Sequence, residues 1–169
     1  MLDRYLSFVS KTPVLWLTFL GLNLITFGIF KTLPNLEALL IDLQFSYDQA
    51  EVTAILTGIG AKGRASYLWA NLIDMAFPFF YGSFFVGFLW RFRMHESLRL
   101  LALVPVMLAF VDWGENIQIR AMINAFPTIS EAQAASASLF TSIKQVLLYV
   151  TLAMFVATGL TALVRKFRQ

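Results

Sequence analysis

Residues 67–90 read YLWANLIDMAFPFFYGSFFVGFLW, and Asp74 is the only acidic or basic side chain among them. A membrane-spanning helix needs about 20 predominantly apolar residues to cross a hydrocarbon core about 30 Å thick. A helix on the surface of a soluble protein instead needs a polar face, and residues 77–81 and 84–90 contain no charged or amide side chain that could form one. This stretch therefore predicts a transmembrane α-helix.

Three further apolar runs have the length of a membrane span, at residues 13–30, 98–118 and 141–164. The run that begins at residue 98 reaches this length only if its helix continues through Asp112. Of all residues, 59% are hydrophobic and 14% are charged, whereas a soluble domain carries about 25% charged residues. The sequence therefore predicts an all-α integral membrane four-helix bundle, a single transmembrane domain over residues 1–169.

The basic residues favour one orientation in the membrane. With the N-terminus inside, the cytoplasmic segments are short and rich in Lys and Arg, and most acidic residues fall on the other side. Positive charge in short loops marks the cytoplasmic side. We therefore expect a protein of the inner or plasma membrane with both termini in the cytoplasm. The basic residues on the inner side would be Arg4, Lys11, Arg91, Arg93, Arg99, Arg165, Lys166 and Arg168.

Residues 31–66 connect the first two spans and carry two apolar stripes with helical spacing. Asp42 falls on another face of the first stripe, Ser46 with Gln49 has the pattern of a capping box, and Gly58 is placed to end the second helix. We predict two short amphipathic helices in this first extracytoplasmic loop, which form either a packed connector or a lid over a site. The stripes are Leu36, Leu39, Leu40 and Leu43, then Val52, Ile55, Leu56 and Ile59.

Several ligand classes are disfavoured by the composition. The chain has no cysteine and a single histidine, His95, whereas haem and zinc sites need two or more well-placed ligands of these types. The glycines of residues 58–63, GIGAKG, match the spacing of a dinucleotide fingerprint, but a helical stripe precedes them instead of a strand. The basic residues are scattered and form no patch for nucleic acid. We therefore expect no cofactor, no metal ion and no nucleic-acid partner.

Polar side chains lie inside the predicted spans, where each ionisable group costs about 2.5–3.5 kcal/mol to insert. Counting 1.5 Å per residue from the predicted cytoplasmic ends places Asp74, Asp112 and Lys144 about 25, 20 and 31 Å above the inner edge. All three levels lie in the outer leaflet, so we expect the polar groups to converge there. The candidate ligand-binding residues are Tyr67, Asn71, Asp74 and Tyr81 on the second helix, Asp112, Glu115 and Asn116 on the third, and Lys144 on the fourth.

Such a cluster is compatible with several functions. We expect an outward-facing polar cavity that binds a lipid or other amphipathic small molecule above an apolar floor of Phe77, Phe79, Phe80, Phe84 and Phe110. One alternative is a non-catalytic structural or assembly subunit, in which the polar groups hold helices together and the partner is another protein or a second copy. Another is a membrane enzyme, with Asp112 as proton donor and Glu115 as its ionised partner. A proton or cation pathway is disfavoured, because the inner halves of the helices lack a second set of ionisable residues.

The second span also resembles a known family, in Asn71-Leu-Ile-Asp74 followed by Phe77-Pro78-Phe79. This motif and the four-helix topology together resemble those of the small sterol-isomerase and sigma-2-receptor group of membrane proteins. The resemblance implies carboxylates placed in a membrane pocket for amphipathic ligands. The first helix has no acidic residue where that group would need one, so no site residue is carried over from it.

Overall fold

The computed structural model describes residues 2–32, 40–93 and 96–168. Every regular element in these residues is helical. Four stretches are long and apolar enough to cross a membrane: Thr12–Ile29, Gly60–Phe92, Arg99–Ala125 and Glu131–Phe167. The prediction of an all-helical protein with four candidate membrane spans is confirmed.

Residues 36–39 of the first predicted stripe, and His95, lie outside the described residues.

The helices follow one another with mostly short connections. The elements in order are α1 (Leu2–Val9), α2 (Thr12–Asn23), its π-helical continuation (Leu24–Ile29), a 3-10 turn (Phe30–Thr32), α3 (Leu40–Leu43), α4 (Gln49–Gly58), α5 (Gly60–Asp74), α6 (Phe77–Phe92), a 3-10 helix (Glu96–Leu103), α7 (Val104–Ala125) and α8 (Glu131–Phe167).

The second span consists of two helices, because a turn at Met75 and Ala76 separates α5 from α6. Pro78 lies in the first turn of α6, where the missing N–H of a proline leaves no helical hydrogen bond unmade. The indole N–H of Trp113 on α7 donates to the carbonyl oxygen of Met75 at 2.9 Å. The backbone oxygen that the break frees therefore has a partner, which matters where no water is at hand.

Two helices extend well beyond the apolar runs of the sequence. α7 continues to Ala125 and α8 begins at Glu131, whereas the hydropathy pattern placed these boundaries near residues 118 and 141. Ser130 caps α8, and its hydroxyl oxygen accepts a hydrogen bond from the N–H of Gln133 at 3.1 Å. The cap decides where the helix starts, and hydropathy marks only its apolar part.

The start of α4 differs from the expected one by two residues. The capping box joins Asp48 and Glu51: Asp48 Oδ1 accepts from the N–H of Glu51 at 2.8 Å, and Glu51 Oε2 accepts from the N–H of Asp48 at 2.9 Å. The expected pair of Ser46 and Gln49 does not form this cap. The side-chain amide of Gln49 donates instead to the carbonyl oxygen of Ile129 at 2.6 Å, which ties α4 to the turn before α8.

The helices pack around one buried core near each end. At the end that holds α4, Leu56, Tyr67 and Ile119 belong to the core, and we call this the α4 end. At the opposite end, Leu6 and Val86 belong to a second core, and we call this the α1 end. A smaller group that includes Tyr81 and Leu108 lies between the two.

At the α1 end, the last residue of α1 lies very close to α6. A Cβ atom added to Gly87 would lie 2.2 Å from the carbonyl oxygen of Val9. A backbone atom cannot move aside as a flexible side chain can, so this contact requires glycine.

Candidate functional site

The centre of the site is one face of α7. Asp112, Glu115 and Asn116 lie three and four residues apart, so their side chains project from the same face. They are buried, with 5%, 0% and 1% of their surface exposed. Helices α5, α6 and α8 pack around α7, so the polar groups of this face must find their partners on those helices.

Helix α8 supplies the cation. The ammonium of Lys144 forms an ion pair with Glu115 Oε2 and lies 3.7 Å from Asp112 Oδ1. Its side chain is partly buried, at 13% exposure. One ammonium group is therefore shared by two carboxylates from neighbouring turns of α7.

Helix α6 supplies a hydroxyl group to one of these two carboxylates, that of Asp112. The phenol of Tyr81 donates to Asp112 Oδ2 at 2.8 Å. One oxygen of Asp112 thus accepts from Tyr81, and the other faces Lys144.

A chain of side-chain amides joins α5 to α7. The amide of Asn71 donates to the side-chain oxygen of Asn116 at 3.0 Å and to its backbone oxygen at 3.1 Å. The amide of Asn116 in turn donates to Asp74 Oδ2 at 2.9 Å. Asp74, at the end of α5, is only partly buried. The amides therefore connect the buried face of α7 to a carboxyl group nearer the surface.

Asp42 of α3 is a further member of the cluster that the sequence analysis did not include. The phenol of Tyr67 donates to Asp42 Oδ1 at 3.0 Å. Burial raises the pKa of the Asp42 carboxyl well above its ordinary value of 3.8, Lys144 partly offsets this rise, and Glu115 adds to it. The sequence pattern placed Asp42 on a face of its helix other than that of the leucine stripe and did not assign it to the site. Tyr67 is the first residue of the polar stripe on α5. Its buried hydroxyl needs a hydrogen-bond partner, and this need was the signal in the sequence that could have pointed to a further polar residue.

The cap segment, which we define as residues 40–49, is tied to α8 beside the cluster. The backbone N–H of Tyr47 donates to the hydroxyl of Ser138 at 2.9 Å, and the phenol of Tyr47 lies 3.1 Å from the hydroxyl oxygen of Thr141. The side-chain amide of Gln145 reaches the carbonyl oxygen of Asp42 at 3.4 Å. The cap segment therefore covers the cluster at the α4 end, and it contributes Asp42 as a carboxyl group.

The structure brings all eight candidate residues into this one neighbourhood. Beyond the eight, the cluster includes Asp42, and Tyr47 and Thr141 lie at its edge. These three come from the cap segment and from the part of α8 that faces it.

No family model, curated protein or solved structure matches the chain.

The cluster carries more acid than base. In the part of the chain that the structure describes, it contains the carboxyl groups of Asp42, Asp74, Asp112 and Glu115 and one ammonium group, that of Lys144. Within the described residues, Glu115 Oε1 and the side-chain oxygen of Asn71 are buried without a hydrogen-bond partner. No group of three or more acidic or histidine side chains in that part of the chain could hold a metal ion. The arrangement can therefore accept hydrogen bonds and positive charge.

The phenylalanines expected below the cluster are divided between two environments. Phe77 packs edge-on against Tyr81, with 5.2 Å between the ring centroids. Phe79 and Phe110 are instead 62% and 64% exposed, and both rings contact Trp113. In a membrane, exposed rings of this kind face lipid, so these two do not form the expected apolar floor.

Proposed function

We propose that this polytopic membrane protein binds the cationic group of a lipid or other amphipathic small molecule in the polar cluster. The observation that carries the proposal is the imbalance of four carboxyl groups against one ammonium group. In a network with a purely structural role, burying charged side chains costs the least free energy when each charge has a partner of opposite sign. This one retains an excess of acid and, at Glu115 Oε1, a buried carboxylate oxygen without a donor.

An excess of buried negative charge has to be neutralised by protons or by a bound cation. A positively charged ligand group would do so, and its N–H groups would donate to oxygens such as Glu115 Oε1. Leu108 and Met122 belong to the buried apolar cores that also contain Tyr81 and Tyr67 of the cluster, so the polar groups lie among apolar side chains. These features together favour an amphipathic cation over a small inorganic ion.

The ligand would enter at the α4 end, where Asp42 and Lys144 are only partly buried. The cap segment lies over this end, and hydrogen bonds to α8 hold it. Release of those bonds would open a way in, so the lid interpretation is the one we propose. With both termini in the cytoplasm, as the basic residues favour, the entrance would face the outer leaflet.

The alternative is a structural or assembly subunit. The observation in its favour is that most polar groups of the cluster bond to one another, with Asn71, Glu115 and Asn116 at 0–1% exposure. In that case protons taken up by the carboxyl groups would offset the excess of acid. The two functions differ in whether a ligand accompanies the purified protein.

Native mass spectrometry of the gently solubilised protein tests this difference, together with two matched variants. Asp74→Asn removes one negative charge and keeps an oxygen that can accept from Asn116. Glu131→Gln removes one negative charge from the exposed first turn of α8. We expect a small-molecule adduct on the unaltered protein and on Glu131→Gln, with a loss of it from Asp74→Asn at an unchanged melting temperature. An unliganded mass for the unaltered protein would favour the structural role.

A further inference from the structure

A second candidate site lies at the α1 end, in a groove between α2 and α6. Its volume is about 330 Å³. The walls are apolar, with Leu15 and Phe19 from α2 facing Phe84 and Phe88 from α6. Because both helices belong to candidate membrane spans, the groove opens toward lipid and not toward water.

One end of the groove is basic. Arg91, an exposed residue at the last turn of α6, lines it together with Thr12. One guanidinium nitrogen of Arg91, Nη1, donates to the hydroxyl of Thr12 at 2.7 Å and to the carbonyl oxygen of Ser10 at 3.4 Å. These bonds use one nitrogen of the guanidinium and hold the group at the mouth of the groove. Lys11, also exposed, directly precedes Thr12.

We propose that this groove binds an anionic phospholipid, with its phosphate on Arg91 and Lys11 and one acyl chain along Phe84 and Phe88. Charge complementarity selects the head group, because a guanidinium held in place by hydrogen bonds binds phosphate well. The exposed side chain of Lys11, next in sequence to Thr12, supplies a second positive charge. Residues 84 to 91 span about 10 Å of helix, which fits within one hydrocarbon leaflet about 15 Å thick. The proposal is independent of the cationic ligand at the α4 end, because the two sites share no residue.

Native mass spectrometry with added lipid tests the proposal. Phosphatidylglycerol and phosphatidylcholine with the same acyl chains differ only in the head group. The test variant is Lys11→Gln with Arg91→Gln. The matched control is Arg165→Gln with Lys166→Gln, which removes the same charge from exposed residues at the end of α8 that do not line the groove.

We expect the unaltered protein to retain phosphatidylglycerol over phosphatidylcholine. Each charge removed from the groove lowers that preference about fivefold, as basic residues near an anionic surface do. The control variant keeps the preference. Equal loss in both double variants, or no preference in the unaltered protein, would overturn the proposal.

Trp16→Ala provides a second test that changes no charge. Trp16 lines the groove and is 60% exposed, so its removal does not disturb a buried core. We expect it to lower the retention of both lipids, because the acyl chain loses one wall. Retention that is unchanged for both lipids in Trp16→Ala would show that the chain does not occupy the groove.

Discussion

Lys144 of α8 pairs with Glu115 of α7, and it is the only cation in the described part of a cluster that has four carboxyl groups. Glu115 is fully buried, so its charge depends on this partner. The ion pair links two helices that also pack against each other over much of their length.

Replacement of Lys144 with methionine leaves two buried carboxylates without their cation. Loss of one partner of a buried ion pair costs about 3–5 kcal/mol, and we expect a correspondingly large fall in the melting temperature of the solubilised protein. The double variant Lys144→Met with Glu115→Gln should recover part of the loss, because one unpaired charge is gone. A melting temperature of Lys144→Met equal to that of the unaltered protein would contradict the proposed role of the pair.

The cap segment should respond to pH through Asp42. The docked carboxyl group has a pKa raised above its ordinary value of 3.8, so docking binds a proton that the undocked segment releases. Docking is therefore strongest below about pH 4 and weakens as the pH rises toward the raised pKa. Hydrogen exchange of residues 40–58, corrected for the intrinsic rate, should show falling protection over that range.

Asp42→Asn separates this effect from the other carboxyl groups of the segment. The variant keeps an oxygen that accepts from Tyr67, but it cannot ionise. We expect its protection to change less with pH and to exceed that of the unaltered protein at neutral pH. The carboxyl groups of the α4 capping box are present in both proteins, so the difference between the two profiles isolates Asp42. Identical profiles would show that Asp42 does not control docking.

Close backbone contact at Gly87 predicts a stability difference between two glycine substitutions. Gly87→Ala places a Cβ atom 2.2 Å from the carbonyl oxygen of Val9, and such overpacking costs about 1–3 kcal/mol. Gly159→Ala, in the interior of α8, meets only Cζ of Phe88 at 3.6 Å, an ordinary contact. In thermal unfolding we expect a lower melting temperature for Gly87→Ala alone. Equal melting of the two variants would contradict the close packing of α1 against α6.

Much of this architecture follows from two simple regularities of the sequence. Long apolar runs identify the four candidate spans, because few soluble helices lack a polar face. The spacing of Asp112, Glu115 and Asn116 puts them on one face of a helix, and a count along the helices puts them at the level of Asp74 and Lys144. The structure places these groups together, as Asn116 donates to Asp74 and Lys144 pairs with Glu115.

The features of the segments between the candidate spans were harder to predict for physical reasons. Ser46 with Gln49 and Asp48 with Glu51 both fit the pattern of a capping box, and only the second is formed. Gln49 bonds to Ile129, a contact between residues far apart in sequence. The inward position of Asp42 likewise depends on how the cap segment docks on α8. Local patterns carry no information on such tertiary contacts.

The central claim is that the polar cluster recognises positive charge on an amphipathic molecule. The most direct measurement is the melting temperature of the solubilised protein with three single-chain additives of equal length, an alkylammonium, an alcohol and a carboxylate. A ligand at a hundred times its Kd stabilises by about 2.7 kcal/mol. We expect the alkylammonium alone to raise the melting temperature by several degrees, and Asp74→Asn to lose that rise while Glu131→Gln keeps it. Equal shifts with all three additives, or a rise that survives in Asp74→Asn, would contradict the claim.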